Sequence, residues 1–147
     1  MSAGSTTRQL VVFSLGEEEY ALPISQVHEI IRYAEPRSVA SAATGVRGVI
    51  NLRGKIVPVY DLAARLGLAA TEGKEANIVI VEATSGIAGV VVDDVDQVLT
   101  IDDSHLEAVA ASAGEAIESI AKLDDRLIVL LNTAGLFGDA ADIAALA

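Results

Sequence analysis

The sequence predicts a mainly β fold in which helix is the minor component. Apolar segments are short, rich in Val and Ile, and separated by Gly, Asp or Asn, which is typical of strands in a barrel or a sandwich. We distinguish about nine or ten such segments along the chain. The 147 residues suit one compact domain, and two smaller lobes that share one core are also compatible with this length.

The first two strands form a predicted hairpin. Residues 10–15 and 19–22 are apolar segments on either side of a polar turn, so we expect them to be antiparallel neighbours. Pro23 then opens a single helical turn over residues 24–27, because proline suits the first helical position. Residues 29–32 extend again as a strand.

A second hairpin is the clearest local element. Residues 46–52 and 55–60 are joined across Gly54, which supplies the positive φ that a tight reversal needs. The small and polar residues 34–45 before it predict a surface loop. A short helix over residues 61–67 follows the hairpin.

The second half repeats this style of structure. The predicted strands there are residues 77–82, 87–92, 95–101, 117–123 and 126–132, and we expect a helix over residues 104–111 that Ser104 caps. At the ends of the chain, residues 1–9 predict a flexible tail and the Ala-rich residues 139–147 predict a C-terminal helix or tail. Residues 10–138 form the domain between them.

Charge and composition exclude several classes of function. Lys and Arg total 10 against 21 Asp and Glu, which gives a net charge of -11, and so acidic a surface repels nucleic acid and anionic lipid. No apolar run approaches the roughly 20 residues that cross a bilayer, and the N-terminus has no signal-peptide pattern. The chain has no cysteine. We therefore expect a cytoplasmic protein with no nucleic-acid partner and no direct membrane insertion.

Candidate catalytic and metal-binding residues are few. His28 and His105 lie in no recognisable ligand spacing. Asp93, Asp94 and Asp96 form the densest carboxylate cluster, but they lack the glycine and the distal glutamate of a calcium loop, which favours a solvated strand edge. No nucleophile motif is present. The sequence therefore predicts no catalytic residue, no metal site and no cofactor.

Basic residues are concentrated in one place. Arg47, Arg53 and Lys55 lie close together in a chain that has 10 basic residues in all. In one interpretation Arg53 only solvates the tip of a hairpin, where Gly48 and Gly54 serve backbone geometry. In the other, Arg53 pairs with a carboxylate of this protein or of a partner.

A longer stretch favours the second interpretation by its resemblance to a known family. The sequence GVINLRGKIVPVYDL at residues 48–62 closely resembles the signature of the CheW-like family. The segments FSLGEEEYAL at 13–22, VHEI at 27–30 and GVVVD at 89–93 resemble its opening strands and its central strand. The resemblance runs from about residue 10 to about residue 136.

This resemblance implies a fold of two packed five-stranded SH3-like β-barrel lobes around a shared apolar core, with a few short helices. It also implies a non-enzymatic scaffold that is recruited to receptor arrays at the membrane. The implied partners are the cytoplasmic tips of methyl-accepting chemoreceptors and the regulatory domain of the histidine kinase CheA. Kinase activity would then be controlled by the receptors.

Site residues follow from the same resemblance. The receptor-facing surface of the family matches Ile24, Val27, Glu29, Gly48 and Arg53, with Ile78 and Ala88 lining the groove between the lobes. Arg53 and Glu29 have opposite charges and are candidates to pair with each other. Gly48 would let the partner backbone come close.

Two alternatives remain open at this point. An adaptor for another array, such as one that governs surface motility, would keep every motif described. A small β-barrel enzyme or ligand-binding protein could instead assemble a site from the acidic segments at residues 93–96 and 102–103.

Overall fold

A computed structural model describes residues 6–40, 45–67, 77–83, 86–109 and 116–146. Within these ranges the strands are β1 Thr7–Leu15, β2 Glu18–Pro23, β3 Val27–Arg32, β4 Val46–Leu52, β5 Lys55–Asp61, β6 Asn77–Ala83, β7 Gly86–Val92, β8 Asp94–Asp102, β9 Leu106–Ala108, β10 Ile117–Leu123 and β11 Arg126–Leu131. The helices are α1 Leu62–Arg65, α2 Thr133–Phe137 and α3 Ala140–Ala144, and 3-10 turns span Ile24–Gln26 and Asp103–His105.

The strands form two sheets, each of which makes one lobe. The six-stranded lobe has the strand order β8-β1-β2-β11-β10-β9, and the five-stranded lobe has the order β3-β6-β7-β5-β4. Neighbouring strands are antiparallel except for β2 with β11 and β5 with β7, which are parallel. The predicted mainly β fold of two lobes with a few short helices is confirmed.

Neither sheet is a closed ring of strands, but each curls so that its ends approach. In the six-stranded lobe the terminal strands β8 and β9 are joined by the 3-10 turn Asp103–His105. In the five-stranded lobe Arg53, which follows the terminal strand β4, contacts Glu29 of the other terminal strand, β3. The sixth strand, β9, is an addition to the five strands that the resemblance implied.

Among the described residues, three apolar clusters form the core. One lies inside the six-stranded lobe around Leu10 and Ile128, and another lies inside the five-stranded lobe around Ile78 and Val57. The largest joins both lobes with α2 and α3, and its buried members include Phe13, Tyr20, Tyr60, Val79, Val90, Leu131, Phe137 and Ile143. Strands such as β6 are buried on both faces, which explains their continuous apolar sequence.

The lobes are built on the same pattern. In the hairpin β4–β5, Gly48 pairs with Val59 after a bulge and Leu52 pairs with Lys55 at the turn. The hairpin β10–β11 has the same bulge and the same register, which makes Ser119 the counterpart of Gly48 and Arg126 the counterpart of Lys55. Each hairpin lies beside a parallel strand, β7 or β2, so the two lobes are structural repeats.

Several predicted boundaries change in the structure. β1 begins at Thr7 and pairs with β8, so residues 7–9 belong to the sheet and not to a tail; residues 1–5 lie outside the described residues. The helix predicted over residues 104–111 is wrong for residues 104–108. The chain there makes one 3-10 turn and then pairs as β9 with β10, because the tertiary pairing outweighs the cap signal.

The C-terminal segment is part of the packed structure. α3 contributes Ala140 and Ile143 to the cluster that joins the lobes, and both side chains are buried. Residue 147 lies outside the described residues, as do residues 41–44 of the predicted surface loop. Among the helices that the structure describes, none has the length and apolar character required to span a membrane.

Candidate functional site

Arg53 lies at the tip of the hairpin β4–β5. The turn has two residues, and both are left-handed, with φ of 50° at Arg53 and 87° at Gly54. Such a turn matches the twist of the flanking strands, and the side chain of Asn51 accepts a hydrogen bond of 2.8 Å from the backbone N–H of Gly54. The turn therefore fixes the backbone and leaves the Arg53 side chain 70% exposed.

Glu29 on β3 pairs with Arg53, as predicted. Nη1 of Arg53 donates a 3.3 Å hydrogen bond to Oε1 of Glu29, and Nη2 donates to Oε2. The hydrogen bonds from Arg53 lower the pKa of the Glu29 carboxyl, and the same pairing raises the pKa of Arg53. Both groups are therefore charged at neutral pH, and they form an exposed ion pair at the junction of the terminal strands.

A groove of about 260 Å³ surrounds this pair. Its other lining residues are His28, Leu52, Lys55, Ile80 and Ile87. His28 is the extra residue of a bulge in β3, because the pairing with β6 shifts between Val27 and Glu29. Nε2 of His28 lies 2.8 Å from Oε1 of Glu82. The groove therefore combines apolar walls with a rim of charged side chains.

The predicted site residues Ile24 and Val27 precede the groove residues in the sequence and are not among them. Ile24 is 39% exposed in the 3-10 turn and borders a different groove, which includes Arg8 and Thr100 of the six-stranded lobe. Val27 is half-buried and packs against the core that joins the lobes. The structure thus places Ile24 at the boundary between the lobes, apart from the pair of Arg53 and Glu29.

Gly48 serves the chain's own backbone. Its φ is 142°, and a Cβ added there would lie 2.1 Å from the carbonyl oxygen of Arg37. Arg37 crosses β4 at this point and exchanges two backbone hydrogen bonds of 2.8 Å with Val49. The close backbone approach that the sequence suggested for a partner is therefore made within this protein.

Ile78 and Ala88 do not line a groove in the structure. Both are fully buried, Ile78 in the core of the five-stranded lobe and Ala88 in the core that joins the lobes. The reason is that β6 and β7 are inner strands covered on both faces. The half-buried Ile87 provides the apolar wall instead, whereas Ile80 also borders the groove but is only 1% exposed.

The basic cluster separates into two parts. Nη2 of Arg47 donates a 2.8 Å hydrogen bond to the buried Asp61, and Nη1 donates to the hydroxyl of Tyr33 at 3.0 Å. Asp61 also caps α1 through the backbone N–H of Ala64. Arg47 therefore has a structural position, while Arg53 and Lys55 reach the groove.

Two of the three clustered carboxylates, Asp93 just before β8 and Asp94 at its start, have described side chains. Oδ2 of Asp93 accepts a 2.6 Å hydrogen bond from the backbone N–H of Gly16, and Asp94 is exposed. The side chain of Asp96 lies outside the described residues. In the part of the chain that the structure describes, no group of three His, Cys, Asp or Glu residues is placed to hold a metal ion.

Comparison with known proteins agrees with this geometry. A family model described as a CheW-like domain matches residues 9–141. The chain belongs to the CheW-like domain family. The match begins in β1 and ends in α3, so it includes both lobes and the groove.

Relatives and a solved structure support the same family. The chain is 32% identical over 135 residues to the chemotaxis protein CheW of Rhizobium meliloti, covering 88% of this chain and 87% of the relative. It is 33% identical over 132 residues to the chemotaxis protein CheW of Bacillus subtilis, covering 86% and 85%. The crystal structure of the scaffolding protein TtCheW from Thermoanaerobacter tengcongensis matches with a TM-score of 0.82 and 37% identity, covering 90% and 93% of the two chains.

Sequence reasoning missed three features of the groove. The spacing of His28 predicts no ligand role, and the sequence does not indicate that this histidine, part of the segment VHEI, lines the groove. Lys55 was grouped with Arg47, which points elsewhere. Ile87 carried no signal, because its position beside Lys55 depends on the pairing of distant strands.

Proposed function

We propose that this chain is a non-enzymatic scaffold of bacterial chemotaxis signalling. It couples the cytoplasmic tips of methyl-accepting chemoreceptors to the regulatory domain of the histidine kinase CheA, so that the receptors control kinase activity. The observation that carries the proposal is the ion pair of Arg53 and Glu29 at the rim of an apolar groove, in a chain of the CheW-like family.

The groove suits a helical segment of a receptor tip. The half-buried Leu52 and Ile87 supply apolar contact, and helices bind such grooves through apolar residues spaced along one face. The side chain of Arg53 is 70% exposed, so its forked guanidinium can also donate hydrogen bonds to a carboxylate of the partner. Apolar area then contributes affinity, while the charged rim fixes the orientation of the helix.

The connection between the lobes suits a scaffold. One apolar cluster contains side chains of both sheets and of α2 and α3, so a partner on one lobe is held at a fixed position relative to a partner on the other. A protein of this kind needs no chemistry of its own, and it acts from the cytoplasm after recruitment to receptor arrays.

The test is CheA autophosphorylation in receptor-containing membranes, measured with and without the purified protein. Kinase and receptors should come from the same source organism. We expect the protein to make kinase activity depend on the receptors. If it binds neither the kinase nor the receptors, the chemotaxis role is overturned, and a role in another array with its own partners takes its place.

A further inference from the structure

Lys55 is an exposed cation of the groove. It begins β5, directly after the turn that contains Arg53, and its side chain lines the groove with Ile87. The other charges there are matched, because Glu29 pairs with Arg53 and His28 lies against Glu82. Among the described residues, Lys55 has no hydrogen bond and no ion pair with a side chain.

The six-stranded lobe shows which side chain faces the position that corresponds to Lys55. In the six-stranded lobe the counterpart of Lys55 is Arg126, since each of them pairs with the residue just before its hairpin turn. Arg126 donates two hydrogen bonds to Glu19 of the parallel strand β2, at 3.0 and 2.8 Å. The cation at this position therefore has a carboxylate on the neighbouring parallel strand in one lobe.

The five-stranded lobe lacks that carboxylate. Leu130 pairs with Ala21 in one lobe, and Val59 pairs with Gly89 in the other. Glu19 lies two residues before Ala21, and Ile87 lies two residues before Gly89, so Ile87 occupies the place of Glu19. The groove thus contains the cation of the shared pattern together with an apolar residue in place of its partner.

We propose that a carboxylate of the bound partner occupies, against Lys55, the place that Glu19 occupies against Arg126. The partner segment is a helix of the receptor tip that carries an Asp or Glu among apolar side chains. The apolar residues contact Ile87 and Leu52, and the acidic one pairs with Lys55. This inference rests on the proposed function and names the chemistry that the groove selects.

Charge across the whole chain strengthens the selection. The net charge is -11, so an acidic partner is repelled by most of the surface and attracted at few places. Repulsion elsewhere and attraction at Lys55 favour one docking position. The apolar residue beside Lys55 also reduces screening by water once the partner is bound.

The first experiment measures the affinity of the full-length protein for a soluble fragment of the receptor cytoplasmic hairpin from the source organism. We expect Lys55→Gln to weaken binding by about fivefold at low salt and to reduce the salt dependence of the affinity. Lys122→Gln is the matched control, because Lys122 is an exposed lysine of the other lobe that pairs with Glu107. The control should bind as the wild type does.

The second experiment restores the missing carboxylate. Ile87→Glu gives the five-stranded lobe the residue that the six-stranded lobe has, so it should neutralise Lys55 and weaken receptor binding. Ile87→Gln removes the same apolar side chain without adding a charge, so the difference in affinity and salt dependence between Ile87→Glu and Ile87→Gln isolates the effect of the added carboxylate. Receptor fragments in which single tip Asp or Glu residues are changed to Asn or Gln should identify one residue whose loss makes wild type and Lys55→Gln bind equally.

The outcomes separate this inference from the proposed function. If the wild-type protein does not bind the receptor fragment, the proposed function fails and this inference fails with it. If the wild type binds and Lys55→Gln binds with the same affinity and salt dependence, only the inference about Lys55 is overturned. Thermal unfolding of every variant checks that each one is folded.

Discussion

The two hairpins β4–β5 and β10–β11 have one backbone design and different side chains. Both have a bulge in the first strand, the same pairing register and a two-residue turn. The first turn residue is left-handed in both, with φ of 50° at Arg53 and 54° at Asp124. One tip is basic and the other is acidic, so the fold requires the turn geometry but not the charge.

The bulge positions differ in a second way. Gly48 lies beneath Arg37, which crosses so close that an added Cβ would lie 2.1 Å from its carbonyl oxygen. Ser119 lies beside β9, where regular pairing with Ala108 leaves room for a side chain. The hydroxyl of Ser119 is buried and has no hydrogen-bond partner among the described residues. The bulge position thus excludes a side chain in one lobe and accommodates one in the other.

Exchange at the bulge should have the largest effect. Gly48→Ser gives the five-stranded lobe the residue of its counterpart, and we expect a loss of about 3–5 kcal/mol in the free energy of unfolding, because backbone atoms must move apart. Urea unfolding would measure it. A loss below about 1 kcal/mol would mean that Arg37 can move away at little cost.

Charge reversal at the tip should affect coupling and leave the fold intact. Arg53→Glu changes an exposed ion pair, so the free energy of unfolding should change little, while receptor-dependent kinase activity should fall by at least about tenfold. Lys122→Glu makes the same charge change at an ion pair of the other lobe and should leave coupling unchanged.

A double variant sharpens this result. Arg53→Glu with Glu29→Arg restores an internal ion pair of opposite direction. If receptor-dependent kinase activity returns, Arg53 acts only by holding β3 in place through the ion pair. If the activity stays lost, a partner contacts the charge at the hairpin tip directly. Autophosphorylation in receptor membranes distinguishes the two results.

Asp139, the residue before α3, makes a contribution to stability that depends on pH. Burial alone would raise the pKa of Asp139, but hydrogen bonds from Arg65 and Tyr60 outweigh it and lower the pKa. A lowered pKa in the folded state contributes stability above the unfolded pKa of about 3.9, and the contribution is lost as the pH falls through the folded value.

Replacement of this carboxyl should therefore matter only where it is ionised. We expect Asp139→Asn to cost about 1 kcal/mol at pH 7 and progressively less as the pH falls below about 4. Asp142→Asn, at an exposed residue of α3, is the control. A cost for Asp139→Asn that is equal at pH 7 and at low pH would contradict an ionic role.

Removal of the buried hydroxyl should have the smallest effect and the opposite sign. Ser119→Ala deletes a buried polar atom that has no partner among the described residues, so we expect stability to stay the same or to rise by up to about 1 kcal/mol. Urea unfolding beside Gly48→Ser would show the contrast between the lobes directly. A clear loss of stability would show that the hydroxyl has a bonding partner in solution.

Local signals in the sequence were enough for most elements. The hairpin across Gly54, the single helical turn after Pro23 and the short helix after Asp61 were predicted because turn and cap residues act over two to four positions. The pair of Glu29 and Arg53 was predicted through the family resemblance. Where distant segments meet, as at β9 or at Thr7, the prediction was wrong.

The sequence by itself determined the β-rich class, the hairpins, the family and the pair of Arg53 and Glu29. Only the tertiary structure decided that Ile78 and Ala88 are buried, that Gly48 makes room for the backbone of Arg37, and that Lys55 and Ile87 line the same groove. Burial depends on which strands cover a residue, and the partner of a charge depends on which strand lies beside it. Parallel pairing joins segments that are far apart in sequence. Local residue patterns do not indicate which of these distant segments pair.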